Sequence, residues 1–476
     1  MGGTRQQSGH FIRQLLGRLR TSSVLLQNSR RSDVPAQAWC TSKASAQSGR
    51  PAEAPSAATR AWCWGFATAV SAGLAVHCVQ PWQAARAGEE ELDEGTLGQL
   101  ARDLSSSRMA DRERAISMLS GLTVFLEHHQ AMLRAGLLPA LMKAVLDTEM
   151  VPQVRSIALG CLADLAKNQE AHDAAVASKE LLPAIIEAAQ AHGTWSNGPE
   201  DGGVARSLAA RLLAELAGDP KMHPALVDSG AAAVLARQGA ALSEKSRADD
   251  KTYSSMSEVP GNLVDVKSVE EERYTASALF GLSGSKQGIQ CMLQADAPVV
   301  PGLANWATCH DPILQRYGVG ALARLVISGL EGLQAAQKDG SLNALFSALL
   351  SKDGQAQCYA AGAAGKLAHA GGKSAQAVLQ ANAPEGLLEM LDPARESENG
   401  GAAVLGNSPG VRQGVFVCAL RAIAECAQEP QLRKALQNLN ASELLQDLLD
   451  SGIFDNNATA QSLAEASIQH LATSPA

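Results

Sequence analysis

From residue 109 onward, Ala and Leu recur at the three- and four-residue spacing of a helix face, which predicts close-packed helices. One phrase of Ala, small residues and Leu returns along the chain. It reads AISMLSGL (115–122), IALGCLADLA (157–166), LAARLLAELA (208–217), TASALFGLSG (275–284), GVGALARLV (318–326), AAGAAGKLA (360–368), LRAIAECA (420–427) and EASIQHLA (465–472). Its last large residues are Leu122, Leu165, Leu216, Leu282, Leu325, Leu367, Cys426 and Leu471. They are separated by 43, 51, 66, 43, 42, 59 and 45 residues. Four of these steps share a period near 43, and the three long ones hold polar, Gly-rich insertions near 192–203, 244–265 and 395–410. A period of roughly 40–47 is that of two- and three-helix repeats, whose units bury their apolar stripes only by stacking.

A second phrase keeps phase with the first. It contains Gly136-Leu-Leu-Pro139, Glu180-Leu-Leu-Pro183 and Val299-Val-Pro301, with looser copies at Gly230, Gly340 and Pro384. Gly closes a short helix, and Pro opens the next, where its missing N–H leaves nothing unsatisfied. Each repeat is therefore read as a short helix, a Pro-started helix and a longer Ala-rich helix that carries the marker residue. Small residues such as Ala158, Gly160, Ala209, Gly320 and Gly362 are expected to let helix backbones approach closely.

The combination G-[IL]-x-P-x-L followed by A-x-x-x-L-x-x-L-A resembles the armadillo-repeat superfamily over about residues 109–474. The resemblance implies an all-α fold, a right-handed α-solenoid of about seven to eight armadillo-like repeats. It also implies a protein-binding concave face on the third helices. In peptide-binding armadillo proteins the residue before each marker is often Asn. Here the series is Gly121, Asp164, Glu215, Gly281, Arg324, Lys366, Glu425 and His470, without Asn. Arg112, Arg155 and Arg206 lie ten residues before Leu122, Leu165 and Leu216. If the family geometry holds, these arginines edge the concave face, and Asp164, Glu215, Arg324, Lys366 and Glu425 run along its floor. A mixed-charge groove of this kind suits a folded or helical partner protein.

Charge changes the picture at the two ends of the chain. The formal net charge of the 476 residues is −8, but residues 1–60 hold nine Lys or Arg against Asp33 and Glu53. The remainder has 31 basic and 46 acidic residues, a net −15, which argues against a nucleic-acid partner. The stretch His10–Arg20 reads HFIRQLLGRLR, with Phe11, Leu15, Leu16 and Leu19 on one face and Arg13, Arg18 and Arg20 beside it. Such an Arg-rich, acid-poor amphipathic helix resembles a mitochondrial presequence within a disordered targeting region, 1–60, with a plastid address as the alternative. From Ala61 to Trp82 there is no charged residue, and Trp62, Trp64 and Trp82 sit near the ends. Three readings stand for this run: a single membrane span, a sorting region cleaved near Ala87 that leaves the chain soluble in an organelle, or a helix packed on the body. Residues 83–108 read as a linker and cap.

Catalytic signatures are missing: the chain has no phosphate loop, GxSxG elbow or HExxH. Adjacent His128 and His129 read as a solvated helix end rather than a metal site. Nine cysteines are scattered without a CxxC pair, and most of those in the body read as small buried hydrophobes. Asn440-Ala441-Ser442 and Asn457-Ala458-Thr459 match the glycosylation sequon, which has meaning only in a secretory chain. The expected protein is a non-enzymatic scaffold that binds another protein, needs no cofactor, metal or small-molecule substrate, and is tethered through 61–82 to the inner mitochondrial membrane. The alternatives are an armadillo-type Hsp70 nucleotide-exchange cofactor and a non-catalytic subunit of an organellar complex.

Overall fold

The structure, a computed structural model, describes residues 94–190, 195, 202–248, 263–392, 409–455 and 457–473. The presequence-like stretch, the 61–82 run and the bulk of the three insertions lie outside the described residues. Among those described, the regular elements are helices, and no helix is long and apolar enough to cross a membrane.

The array opens with α1 (Glu94–Leu104) and α2 (Met109–Leu122), which pack on each other. Sets of a short, a second and a longer third helix follow. The first is α3 (His129–Arg134), α4 (Leu137–Leu146) and α5 (Pro152–Leu165), and the next α6 (Gln169–Ala177), α7 (Leu181–Gln190) and α8 (Gly202–Ala217). Then come α9 (His223–Asp228), α10 (Ala231–Ala248) and α11 (Leu263–Leu282), and α12 (Lys286–Gln294), α13 (Val299–Ala307) and α14 (Pro312–Ile327). The last sets are α15 (Leu330–Lys338), α16 (Ser341–Ser347) and α17 (Gly354–Ala370); α18 (Gly372–Gln380), α19 (Ala383–Glu389) and α20 (Pro409–Gln428); and α21 (Pro430–Asn438), α22 (Ala441–Asp450) and α23 (Ala458–Ala472).

The described residues up to Gln238 and those from 263 to Met292 form one compact unit; those from Gly239 to 248 and from Leu293 onward form a second. In the first unit α2 packs on α5, α5 on α8 and α8 on α11. In the second, α14 packs on α17, α17 on α20 and α20 on α23. The marker residues drive this stacking. Leu165, Leu282, Leu325 and Cys426 are wholly buried, and Leu216, Leu367 and Leu471 nearly so, while Leu122 is half-buried.

The joint between the first and second helix of a set is set by local chemistry. Gly136, Gly230 and Gly340 adopt φ of +74°, +83° and +70°, where a Cβ is strained. Asn382 and Asn440 take the same left-handed place, at +54° and +53°. Pro139, Pro183 and Pro301 are each the third residue of their helices, inside the first turn. Third helices are capped from the loop before them. Asp311 accepts from the N–H groups of Ile313 and Leu314, Asp353 from Ala356 and Asn457 from Ala460. Both sequon asparagines thus have structural work, Asn440 as a joint and Asn457 as a cap.

The small-residue expectation needs one correction. Gly160 does face a neighbouring helix, with Leu208 Cδ2 3.3 Å from where its Cβ would stand. Gly362 does not, because it is exposed with open space around that position. Close approach in the second unit is found at other glycines, among them Gly318, where a Cβ would lie 2.7 Å from Trp306 Cβ and 2.9 Å from Ala307 N.

Candidate protein-binding surface

In the first unit, most of the residues expected to line a binding face are held by other residues of the repeats. Asp164, on α5, is buried; it accepts from Thr123 Oγ1 at 3.0 Å and from Arg211 of α8. Burial works against the Arg211 charge, and Asp164, Tyr274 and Glu215 together more than offset it, so the guanidinium pKa rises. Glu215 lies half-buried on α8 and adds to that pull. Arg112 pairs with Asp147 at the end of α4. Arg206 Nε lies 3.2 Å from Glu271 Oε1 on α11. Arg155 is 2% exposed. It donates from Nε and Nη2 to the Val145 carbonyl, and its guanidinium carbon stands 3.9 Å from the centre of the Trp195 ring. Burial lowers the Arg155 pKa, with Glu187 and Asp147 opposing. Arg155 and Asp164 therefore stitch helices together, and Arg206 and Glu215 remain at the edge of the surface.

A further set of polar rungs joins successive repeats. The Nε2 atoms of His129, His172 and His223 lie 2.6, 2.5 and 2.8 Å from the carbonyls of Thr123, Ala166 and Ala217, six residues earlier in each case. A carbonyl only accepts, so Nε2 donates. Asn168 Nδ2 faces His129 Nδ1 at 3.1 Å, and Asp219 Oδ2 faces His172 Nδ1 at 3.2 Å. Arg433 plays the same part late in the chain, donating to the Ala427 carbonyl at 2.7 Å. His129 is thus a buried turn clamp, not the solvated helix end that the sequence suggested. Each clamp stands seven residues after its marker, the signal by which sequence could have found it.

The second unit has a different balance. Three of its third helices, α14, α17 and α20, carry Arg316, Arg324, Lys366, Arg412 and Arg421, against one carboxylate, Glu425. Lys366 and Arg421 are exposed and Arg324 is half-buried; burial pushes its pKa down, and Tyr359 opposes. Glu425 Oε2 is 2.9 Å from His369 Nδ1. Arg316 fastens to Asp353, the cap of α17, at 2.5 Å. Tyr317 and Tyr359 hold equivalent, half-buried positions eight residues before Leu325 and Leu367. Of the expected site residues, Arg324, Lys366 and Glu425 fall in this row. Arg421, Tyr317 and Tyr359 belong with them but do not stand directly before a marker, the position on which the expectation rested. Among the described residues no cluster of His, Cys, Asp and Glu has the makings of a metal site.

No family model matches the chain, and no curated protein does. Solved structures do. The chain is 15% identical to one from a study titled for the phosphorylation switch in the interaction between cadherin and beta-catenin; the match covers 80% of this chain and 61% of that one, with a TM-score of 0.51. It is also similar to a designed armadillo repeat protein (19% identity, 61% of this chain, 99% of that, TM-score 0.44). Another similar structure is a designed armadillo repeat protein in complex with the peptide (KR)4 (18% identity, 62% of this chain, 100% of that, TM-score 0.43). The fold is an armadillo-like repeat fold.

Proposed function

We propose that the chain is a non-enzymatic interaction scaffold whose second unit binds an acidic segment of a partner protein along the row of α14, α17 and α20. One observation carries this reading: beyond the Arg316–Asp353 pair, those three helices hold four cations, Arg324, Lys366, Arg412 and Arg421, against one carboxylate, Glu425, in a chain whose overall charge is −8. A positive strip on a negative molecule steers an acidic segment to one place and repels it elsewhere. Tyr317 and Tyr359 add flat, amphipathic surface beside the cations. The (KR)4 peptide of the designed repeat protein is basic; the charge of this row favours the opposite sign.

The test uses purified full-length chain and two labelled peptides, one alternating Glu and Ser, the other Lys and Ser. The Glu peptide should bind and weaken as salt rises. Lys366→Glu with Arg421→Glu should weaken it about tenfold or more, equivalent to about 1.4 kcal/mol. Preference for the Lys peptide, or indifference to the charge reversal, would sink the reading.

The address is part of the same proposal. The Arg-rich, acid-poor His10–Arg20 stretch supports mitochondrial import, and the uncharged 61–82 run supports a single tether in the inner membrane. A tether would raise the local concentration of scaffold and partner. Fractionated cells should show the chain in mitochondrial membranes, resistant to alkali. Release by alkali, or a chain shortened to begin near Gly88, would remove the tether.

A further inference from the structure

The body of the chain contains two sorts of cysteine. Cys161 and Cys426 are wholly enclosed, on α5 and α20, and burial pushes both thiols up to about 12. Thiols of that kind stay protonated and inert. Cys358 and Cys418 differ in place and surroundings. Cys358 lies on α17 and Cys418 on α20, helices packed against each other in the second unit, and both residues are only half-buried. Cys358 Sγ reaches the Gly414 carbonyl, one turn before Cys418, at 3.9 Å. Cys418 therefore stands one turn along α20 from the carbonyl that Cys358 faces. Gly414 leaves open space beside them, because nothing lies within 4 Å of where its Cβ would stand.

We propose that Cys358 and Cys418 form a redox-active dithiol, a site of reversible oxidation that closes to a disulfide between α17 and α20. The geometry supplies the first requirement, two half-buried thiols on adjoining turns of packed helices. A sulfur–sulfur bond of about 2.0 Å is reached through rotation of side chains that have rotamer freedom. The second requirement is a nucleophile. The hydrogen bond from Cys358 lowers the Cys418 thiol below its ordinary value, burial opposes it, and Arg421, one turn on, lowers it further. Cys418 is the attacking thiolate and Cys358 the resolving thiol.

With a hydroperoxide as oxidant the chemistry balances. The Cys418 thiolate attacks the peroxide, the O–O bond breaks, and Cys418 becomes a sulfenic acid while one water (or alcohol) leaves with a proton. The Cys358 sulfur then attacks the sulfenic sulfur. An S–S bond forms, the S–O bond breaks, and the Cys358 proton leaves with the hydroxide as water. Two thiols lose two electrons, and one peroxide is reduced. A small dithiol reverses the step by exchange through a mixed disulfide.

The pair was invisible in the spacing of the sequence because sixty residues separate the two positions, an insertion among them. Cys358 stands nine residues before Leu367, and Cys418 eight before Cys426. Only the packing of successive third helices brings them together.

The experiment treats fully reduced, full-length chain with dilute hydrogen peroxide and maps its peptides by mass under non-reducing conditions. The expected product has lost two hydrogen atoms, carries a Cys358–Cys418 linked peptide, and returns to the starting mass with dithiothreitol. Cys358→Ser should remove the link and leave a sulfenic acid at position 418 that dimedone captures. Cys418→Ser should remove the link and slow oxidation at 358. Circular dichroism of both variants checks that the helices are intact, and Cys358→Ala and Cys418→Ala replace any serine variant that fails this check. Overturning results are a chain whose two thiols oxidise without linking, or a link distributed among other cysteines. Equal rates of dimedone capture at Cys358 and Cys418 in the single variants would equally overturn the assignment of attacking and resolving thiols.

Discussion

At the scale of single residues, a charge in a stacked repeat belongs either to the stack or to a partner, and the distinction lies in what faces it. Asp164, which stands directly before its marker, is turned toward Thr123 and Arg211. Removing one member of a buried pair leaves the other charge enclosed and costs far more than the pair is worth. Asp164→Ala should therefore lose about 3 kcal/mol of stability in urea unfolding. Adding Arg211→Met should restore part of it, since the orphaned cation is then gone. A loss under about 1 kcal/mol would place the pair among solvated surface charges. Asp219 gives a pH signature. The Lys221 N–H holds its carboxyl below the usual range, burial opposes, and His172 and Gln169 add to the lowering. A carboxyl whose pKa is depressed on folding stabilises above its unfolded pKa, and the contribution disappears as pH falls through the folded value. Asp219→Ala should then lower the Tm at neutral pH and leave it unchanged in acid below both values.

At the scale of elements, the helices and their order were readable because the repeat writes the same message many times. The marker leucines, the joint glycines and the first-turn prolines each have one physical cause, burial, a left-handed backbone and a missing N–H. Asn382 and Asn440 were missed as joints since Gly is the commoner occupant, although Asn tolerates the same φ. Close helix approach was less legible. Pattern alone cannot tell a glycine that faces a neighbour from one that faces water, and so Gly362 was named where Gly318 was not. They should behave oppositely. Gly318→Ala drives a methyl into Trp306 and the α13 backbone, an overpacking cost of about 1–3 kcal/mol. Gly362→Ala meets nothing and removes unfolded-state freedom, a gain of about 0.5–1 kcal/mol. Paired thermal melts of the two variants check the sign, and equal shifts would contradict the packing described for α14.

At the scale of the molecule, partners of a surface residue come from another repeat, some forty to sixty positions away, and the insertions disturb that count. That is why the site was only partly visible: Arg324, Lys366 and Glu425 were named from their register, whereas Arg421, Tyr317, Tyr359 and the Cys358–Cys418 pair required the third helices to be laid side by side. The same one-dimensional arrangement governs stability. Each interior third helix has a neighbour on both sides, as α5 and α8 do in the first unit and α17 and α20 in the second, whereas α2 and α23 have one such neighbour among the described residues. In a stack held by nearest-neighbour interfaces, a helix with one interface opens at lower free energy than a helix with two. Amide hydrogen exchange should therefore be slowest in α5, α8, α17 and α20 and faster in α2 and α23, by about tenfold for each 1.4 kcal/mol of interface. Uniform protection across all six helices would mean that the chain opens as one cooperative block, and the nearest-neighbour account of its stability would have to be given up.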